Sequence, residues 1–422
     1  MDKSVPRGRL EGRISPPCSK SYAQRALALS LLAEGRSILR NIEFCDDTLS
    51  AMRCIEMLGA QIQRIDETTL SITGGFAPVS NRLQVGESGL ATRLFTPIAS
   101  LWHSPVVIEG RGSLLHRPMS MMVEPLRALG VDVRDGGGRL PIEVCGPLHG
   151  GEIEVDGSIS SQFVTGLLLA LPLAENDTTL KVRGAVSTPY LDMTVDTVER
   201  FGGRILHNDY SEFFIEGGQR YKAADFSIEG DWSAAAMLLV AGAVAGEVTV
   251  DNISSLSKQA DTAVCRALER AGASLISEER SVTAARRNLA AFEFDATDSP
   301  DLFPALVALA AAAEGVSTIV GTSRLEYKES HRAETLKEEY AKLGIEIDIE
   351  TENVMKIRGG AIRSARTNSH NDHRIAMSLA VSALRSDGEV VIEDAEAVAK
   401  SYPTFFEDLG QLRCNQESGM GN

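Results

Sequence analysis

Apolar and polar positions recur along this chain in a unit that returns six times. Each unit holds a stretch with the spacing of an amphipathic helix, which ends in an apolar residue and a glycine and is followed by a strand pattern, as in RALGVDV and ERAGASLI. A glycine after the last helical turn is typical of a helix C-cap, where the backbone takes a positive φ. Successive glycines lie 66 to 72 residues apart, and they are Gly59, Gly130, Gly202, Gly272, Gly344 and Gly410.

Each unit is predicted to contain a helix, a strand, a second helix that ends at the glycine, and two further strands. The predicted elements of the second unit are residues 89–101, 105–109, 119–129, 131–134 and 141–144, and those of the third are 161–173, 179–183, 190–201, 204–207 and 212–216. The sixth unit stops after its second helix. A solenoid usually has shorter repeats and more of them, so we favour two globular α/β domains of three units each. We place the boundary in the polar stretch 217–225.

Composition and charge narrow the class of protein. With 422 residues, 43% hydrophobic and 24% charged, the chain is long enough for two globular domains. The apolar runs 234–245 and 305–313 are too short to span a bilayer and predict buried helices. A net charge of −16 argues against nucleic acid or an anionic membrane as a partner. The N-terminal residues show no secretory pattern and the six cysteines are scattered, so we expect a cytoplasmic protein with reduced thiols.

Cations stand at the predicted helix starts, where the helix dipole disfavours them by about 0.3 to 1 kcal/mol each. Hydroxyl and amide donors stand beside them. A helix N-terminus with such donors is an anion site, and several of them predict substrates that carry several negative charges. For any one residue, an exposed cation or an N-cap is the plainer interpretation. The cations are Lys20, Arg25, Arg93, Arg117, Lys328, Arg332, His373, Arg374 and Lys400, and the donors are Ser160, Ser161, Gln162, Ser187 and Tyr190.

Two carboxylates share these positions and suggest acid–base chemistry. Asp301 lies in TDSPDLFPAL at the start of a predicted helix, and Glu329 directly follows Lys328. Burial raises the pKa of a carboxyl group and a neighbouring cation lowers it, so their protonation states stay open. Helix capping is the structural alternative for Asp301. The sequence has no P-loop, HExxH, GxGxxG or GxSxG motif, which removes support for nucleotide, metal or serine-nucleophile chemistry.

The motifs taken in order resemble one family. SKSYAQRAL, GESGLATR, HRP, SISSQF, VSTPYLD, YKESHR, NDHRIAM and KSYPTFFEDL are similar to the motif set of the 5-enolpyruvylshikimate-3-phosphate synthases, from about Leu10 to about Gln411. The resemblance implies two α/β domains, each of three βαβαββ-type units, with the active site in the interdomain cleft. It implies a discontinuous lower domain, 1–18 plus 226–422, and an upper domain, 19–225.

The resemblance also implies an activity. The family transfers the enolpyruvyl group of phosphoenolpyruvate to the 5-hydroxyl of shikimate 3-phosphate and releases phosphate, without a metal or organic cofactor. These small molecules are the expected partners, and we expect a monomer. By the same resemblance Glu329 is the acid, Asp301 with Lys328 takes the hydroxyl proton, and Lys20 and His373 complete the catalytic group.

The binding residues are carried over from the same motifs. Shikimate 3-phosphate is assigned to Lys20, Ser21, Arg25, Ser160, Ser161, Gln162, Ser187, Tyr190, Asp301 and Lys328. Phosphoenolpyruvate is assigned to Lys20, Gly89, Arg117, Gln162, Arg332, Arg374 and Lys400. Four positions depart from the family pattern and leave the details of the phosphate pocket open. They are Glu87 and Arg324 in place of asparagines, Leu90 in place of threonine and Leu94 in place of proline.

Two other functions stay open at this point. The sister enolpyruvyl transferase that acts on UDP-N-acetylglucosamine shares the fold and the donor, but it usually carries a reactive cysteine in the loop that here reads GRGSLLH, residues 110–116. A non-catalytic anion-binding relative is the alternative from another class. The carboxylates Asp301 and Glu329, together with His373, argue for an enzyme.

Overall fold

The computed structural model describes residues 1–158, 160–326 and 328–414. The chain forms two compact units. We call Cys18–Glu229 the inserted unit, and Met1–Pro17 together with the chain from Gly230 onward the terminal unit. The prediction of an α/β fold built from repeats is confirmed.

The regular elements follow the predicted helix–strand order, except that a strand that was not predicted precedes the first helix of the second and third units, β6 before α3 and β10 before α5. The helices are α1 Lys20–Leu32, α2 Asp46–Met57, α3 Gly89–Ala99, α4 Val123–Ala128, α5 Ser161–Ala170, α6 Thr188–Arg200, α7 Trp232–Ala245, α8 Val264–Arg270, α9 Phe303–Ala311, α10 Arg332–Lys342, α11 His373–Ala383 and α12 Phe405–Gln411. The strands are β1 Lys3–Val5, β2 Leu10–Ile14, β3 Arg36–Arg40, β4 Gln61–Arg64, β5 Leu70–Thr73, β6 Arg82–Gln84, β7 Val106–Glu109, β8 Asp132–Asp135, β9 Ile142–Cys145, β10 Gly151–Asp156, β11 Thr178–Arg183, β12 Leu206–Asn208, β13 Glu212–Ile215, β14 Asp225–Ser227, β15 Gly246–Asp251, β16 Ser274–Ser277, β17 Ser281–Ala285, β18 Glu293–Asp295, β19 Val316–Val320, β20 Glu346–Asp348, β21 Val354–Arg358, β22 Arg366–Asn368 and β23 Val390–Glu393.

Each repeat closes a small sheet of its own. In the inserted unit the strand orders are β14-β3-β5-β4, β6-β7-β9-β8 and β10-β11-β13-β12. In each of these sheets the first pair is parallel and the other pairs are antiparallel. A parallel pair needs a crossover, and α3 supplies it between β6 and β7 and α5 between β10 and β11, which gives the βαβαββ plan. In the first sheet the parallel strand β14 comes instead from the far end of the inserted unit. The terminal unit has the orders β16-β17-β15-β2, β18-β19-β21-β20 and β1-β23-β22.

The boundary between the two units lies a few residues after the predicted place, because of the pairing of strand β14. The stretch 217–225 was expected to end the inserted unit, with the terminal unit resuming at 226. Strand β14 instead pairs in parallel with β3, Phe226 opposite Leu39, and so completes the first sheet of the inserted unit. The boundary therefore falls after Glu229. The N-terminal strands β1 and β2 pair with β23 and β15 and belong to the terminal unit.

The first helix of each repeat lies at the centre of its unit. Helices α1, α3 and α5 bury nearly all their residues in one apolar core, and α7, α9 and α11 do so in the other. The apolar runs 234–245 and 305–313 fall in α7 and α9, which confirms the prediction of buried helices. Among the described helices, none combines the length and the apolarity that a membrane-spanning segment requires.

Five of the six predicted cap glycines have positive φ, between 79° and 113°. Gly410 is the exception, because it lies inside α12 rather than after it. Helix α12, the second helix of the sixth unit, thus runs one residue past the glycine that was expected to end it.

Candidate active site

Arg25 is a buried cation whose described partners are all uncharged. Its side chain, 1% exposed, donates to the hydroxyls of Thr194 (2.9 Å) and Thr165 (3.2 Å). It also donates to the carbonyl oxygens of Ser21 (2.8 Å) and Tyr190 (3.0 Å). Burial lowers the pKa of Arg25 to about 10. A buried charge without a counterion is costly, so this arrangement favours an anionic ligand.

A second group of cations surrounds Gly89, the first residue of α3. A Cβ atom placed there would lie 2.8 Å from Nη1 of Arg117 and 3.0 Å from Nη1 of Arg93. Glycine therefore leaves room for two guanidinium groups beside a helix N-terminus that Ser88 caps. Arg93 also donates to Oε1 of Gln162 at 2.8 Å, which brings the start of α5 to the same place. Two cations beside a helix N-terminus are suited to a phosphate.

The first residue of α1 makes an ion pair that the sequence did not indicate. Nζ of Lys20 lies 3.0 Å from a carboxylate oxygen of Asp47, in the first turn of α2, and the two side chains are only 16% and 14% exposed. Asp47 stabilises the positive charge at a position where the α1 dipole disfavours it. It also fixes the direction of the flexible lysine side chain.

The remaining predicted residues of the inserted unit lie at the starts of α5 and α6. Ser160 caps α5, with its hydroxyl accepting the N–H of Gln162 at 3.2 Å, and Ser161 is buried. Ser187 immediately precedes α6 and is held in the left-handed region at φ 55°, although it is not glycine. Tyr190 lies in the first turn of α6 and is half-buried. A strained non-glycine residue at a helix start is typical of a ligand-binding position.

In the terminal unit, Arg332 joins three carboxylates. This first residue of α10 has no exposed side-chain surface and donates to Asp301 at 3.0 Å and to Glu329 at 2.6 Å. Its contact with Asp372 is two-pronged, Nε to Oδ2 at 3.0 Å and Nη2 to Oδ1 at 3.2 Å. One guanidinium group therefore fixes both predicted acid–base residues.

Two further cations neutralise the same cluster. Lys328 lies 3.2 Å from Oδ1 of Asp301, and Arg374 lies 3.3 Å from Oδ2. Three cations and three carboxylates thus meet at the starts of α9, α10 and α11. Such a network tolerates burial because every charge has an opposite neighbour.

The pKa values of Asp301 and Lys328 are both lowered in this cluster, which favours the charged form of the aspartate and the neutral form of the lysine. Burial by itself would raise the pKa of Asp301, but Arg374, Lys328 and Arg332 hold it well below its usual range. Burial lowers the pKa of Lys328, against the opposing effect of Asp301. Asp301 is therefore a stable anion and a weak base, while Lys328 gives up its proton more readily than an ordinary lysine.

The start of α11 places the last predicted residues. His373 is the first residue of α11 and is buried, and Arg374 follows it. Lys400, 8% exposed at the end of a 3-10 turn, donates from Nζ to the carbonyl oxygen of Asn371 at 2.7 Å. Sequence reasoning missed Asp372, which caps α11 and receives Arg332, because a cap residue looks the same whether or not a distant arginine reaches it.

The four positions that depart from the family pattern also have defined surroundings. The carboxylate of Glu87 faces the turn at Gly112, where a Cβ atom would overlap it, and accepts from the hydroxyl of Ser113 at 3.4 Å. Leu90 and Leu94 pack into the core of the inserted unit. Arg324 lies in the 3-10 turn Thr322–Leu325 of the terminal unit.

Buried cations at helix starts, in a fold of six small repeats, define an α/β enzyme for small anionic substrates. The chain belongs to the EPSP synthase (3-phosphoshikimate 1-carboxyvinyltransferase) family, whose model matches residues 5–409. The family predicted from the motifs is confirmed.

Relatives match over almost the whole chain. It is 38% identical to the 3-phosphoshikimate 1-carboxyvinyltransferase of Methanosarcina acetivorans over 98% of both chains. It is 38% identical to that of Thermococcus kodakarensis over 96% of this chain and 98% of the other. The solved EPSP synthase of Acinetobacter baumannii superposes with a TM-score of 0.83 at 26% identity, covering 98% of each chain.

Proposed function

We propose that this protein transfers the enolpyruvyl group of phosphoenolpyruvate to the 5-hydroxyl of shikimate 3-phosphate and releases phosphate, as a monomer in the cytoplasm. The observation that carries the proposal is the double contact of Arg332 with Asp301 and Glu329. It holds Glu329, the proposed proton donor, in one cluster with Asp301 and with Lys328, the proposed proton acceptor, and the reaction needs both a donor and an acceptor near an anionic substrate.

Shikimate 3-phosphate has a carboxylate and a phosphate, and we assign it to residues of both units. In the inserted unit these are Lys20, Ser21, Arg25, Ser160, Ser161, Gln162, Ser187 and Tyr190. In the terminal unit they are Asp301 and Lys328. The buried Arg25 supports the assignment, because a substrate anion would supply the missing counterion.

Phosphoenolpyruvate is assigned to Lys20, Gly89, Arg117 and Gln162 of the inserted unit and to Arg332, Arg374 and Lys400 of the terminal unit. The two guanidinium groups around Gly89 suit its phosphate. Arginine supplies paired N–H donors in one plane, which match the oxygens of phosphate and carboxylate.

The chemistry is an addition followed by an elimination. In the addition, the 5-hydroxyl oxygen forms a bond to C2 of phosphoenolpyruvate while Glu329 gives a proton to C3, and a tetrahedral ketal results. Asp301 orients the hydroxyl, and the hydroxyl proton passes to the neutral amine of Lys328, a form that the lowered pKa of this lysine makes more accessible. In the elimination, C3 returns a proton to Glu329 as the bond from C2 to the phosphate oxygen breaks, and Lys328 passes the proton it took from the hydroxyl to the departing phosphate. The surrounding cations, with His373 beside them, stabilise the departing phosphate.

Phosphate release with each acceptor in turn tests the proposal. The purified protein with phosphoenolpyruvate should release phosphate when shikimate 3-phosphate is added and not when UDP-N-acetylglucosamine is added. Fosfomycin should not inhibit, because residues 110–116 contain no cysteine. Activity with the nucleotide sugar alone would move the protein to the sister enzyme, and no release with either acceptor would indicate a non-catalytic relative.

A further inference from the structure

Glu339, two turns into α10, is a fully buried carboxylate outside the cluster described above. Its Oε1 accepts from Nζ of Lys342 at 2.7 Å and lies 2.7 Å from Nε2 of His370, and its Oε2 accepts the backbone N–H of Asn368 at 2.9 Å. The adjacent Glu338 is exposed and forms an ion pair with Lys342 at 3.3 Å. Burying Glu339 is costly, and two of its three bonds are made to one loop.

That loop, which we define as residues 368–372, runs from the last residue of β22 to the cap residue of α11. His370 and Asn371 are consecutive non-glycine residues in the left-handed region, at φ 50° and 55°. Such residues are strained and persist only where the surroundings hold them. The Asn371 carbonyl oxygen receives Lys400, and the next residue, Asp372, receives Arg332.

Residues of helix α10 therefore form hydrogen bonds to both ends of this loop. Its first residue, Arg332, holds Asp372, and two turns later Glu339 holds Asn368 and His370. On the other side, Ser369 donates to the carbonyl oxygen of Asp394 at 2.8 Å. The strained turn lies between these points.

Glu338, Glu339 and His370 also form the one group in the described part of the chain with side-chain atoms close enough to hold a metal ion. The ammonium of Lys342 already contacts both carboxylates. A divalent cation would have to displace this lysine, so the cluster is better explained by its bonds to the loop.

We propose that Glu339 is a positioning residue for the donor substrate. By holding the turn at His370 and Asn371, it sets the place of the Asn371 carbonyl, which directs Lys400, and of the α11 start, which carries Arg374. The inference rests on the proposed function, in which Lys400 and Arg374 bind phosphoenolpyruvate. It predicts an effect on the donor that the acceptor does not share.

The test compares Glu339→Gln with Glu338→Gln, a matched control on the same helix that also loses a contact to Lys342 but has no described hydrogen bond or ion pair to the loop. We expect Glu339→Gln to raise the KM for phosphoenolpyruvate about tenfold, with the KM for shikimate 3-phosphate changed by less than about twofold. Glu338→Gln should leave both constants and the Tm as they are. His370→Asn leaves Glu339 in place and tolerates the left-handed backbone, and it should raise the donor KM without lowering the Tm.

The outcomes separate this inference from the proposed site. If Lys400→Met and Arg374→Gln leave the donor KM unchanged, the proposed donor site is wrong. If those variants raise it and His370→Asn and Glu339→Gln do not, the positioning role alone is overturned. A loss of Tm in Glu339→Gln without a rise in donor KM would show a purely structural carboxylate, and if Glu339→Gln does not fold, His370→Asn decides.

Discussion

Arg332 and Asp372 face each other without any exposed side-chain surface, and two N–H groups of the arginine meet two oxygens of one carboxylate. Pairs of this geometry are among the strong hydrogen-bonded ion pairs. The same guanidinium group also reaches Asp301 and Glu329. The pair therefore fixes the frame in which the two proposed acid–base residues are held.

Replacing Asp372 with asparagine should destabilise the protein, because Arg332 then keeps its buried charge and loses its main counterion. We expect the free energy of unfolding to fall by about 2 to 4 kcal/mol. Glu346→Gln is the matched control, since Glu346 pairs with Arg358 at the same 3.0 Å distance, with side chains 71% and 64% exposed. The control should cost no more than about 1 kcal/mol. Urea unfolding measures both, and equal losses would contradict the importance of burial.

Arg25→Met should separate stability from binding. The variant removes a buried charge that has no carboxylate partner in the described structure, so the free energy of unfolding should stay within about 1 kcal/mol of the parent or rise. Affinity for shikimate 3-phosphate should fall by roughly 100-fold, since a charged contact to the substrate is lost. Calorimetric titration and thermal melting test this together. Unchanged affinity would show that Arg25 has only a structural role.

Glu329→Gln keeps the shape and much of the hydrogen bonding of the side chain but has no proton to transfer. We expect kcat to fall by roughly 100-fold or more, with the KM for shikimate 3-phosphate little changed. Glu334→Gln, at an exposed position in the first turn of α10, is the control and should keep full activity. A variant at 329 with normal kcat would remove this residue from the proton transfer.

Asp261 provides a test by pH. Burial, together with the nearby charge of Asp301, raises the pKa of Asp261 to about 6, and its carboxylate accepts from the hydroxyl of Ser233. The folded protein therefore holds this proton more tightly than the unfolded chain, and the stability that results is lost as the pH rises through about 6.

Asp261→Asn does not titrate, so it should gain stability over the parent as the pH rises from about 4 to about 7, by at most about 3 kcal/mol. Urea unfolding at both pH values measures the gain. A gain in Asp261→Asn that is independent of pH would contradict the raised pKa.

Local pattern predicted most of the helices and strands, because each repeat places its apolar residues with a regular period. It did not predict β14, a strand of three residues with too little pattern to recognise, whose partner β3 lies far away in the sequence. Gly410 was misassigned because an apolar residue and a glycine also occur within a helix.

Within the candidate site, the sequence indicated the cations and the two carboxylates through their unusual positions at helix starts. It could not indicate which groups would hold them. Asp47 looks like an ordinary acidic residue in the first turn of a helix, and its contact with Lys20 depends on the packing of α1 against α2. Thr165 and Thr194 have buried hydroxyls that accept hydrogen bonds from Arg25. Because both lie more than a hundred residues from Arg25 in the sequence, only the folded structure shows these contacts.

The pairing of β2 with β15 has a consequence for the order in which the chain folds during synthesis. The N-terminal strands leave the ribosome first, but their partners β15 and β23 follow only after the whole inserted unit. At about 5 to 20 residues per second, β2 waits for roughly 10 to 50 s. The inserted unit is complete once β14 has emerged, and its two ends are then joined by a 2.7 Å hydrogen bond from the Ser19 N–H to the Glu229 carbonyl oxygen. The nascent chain should therefore fold from its middle outward, with its first seventeen residues among the last to find their places.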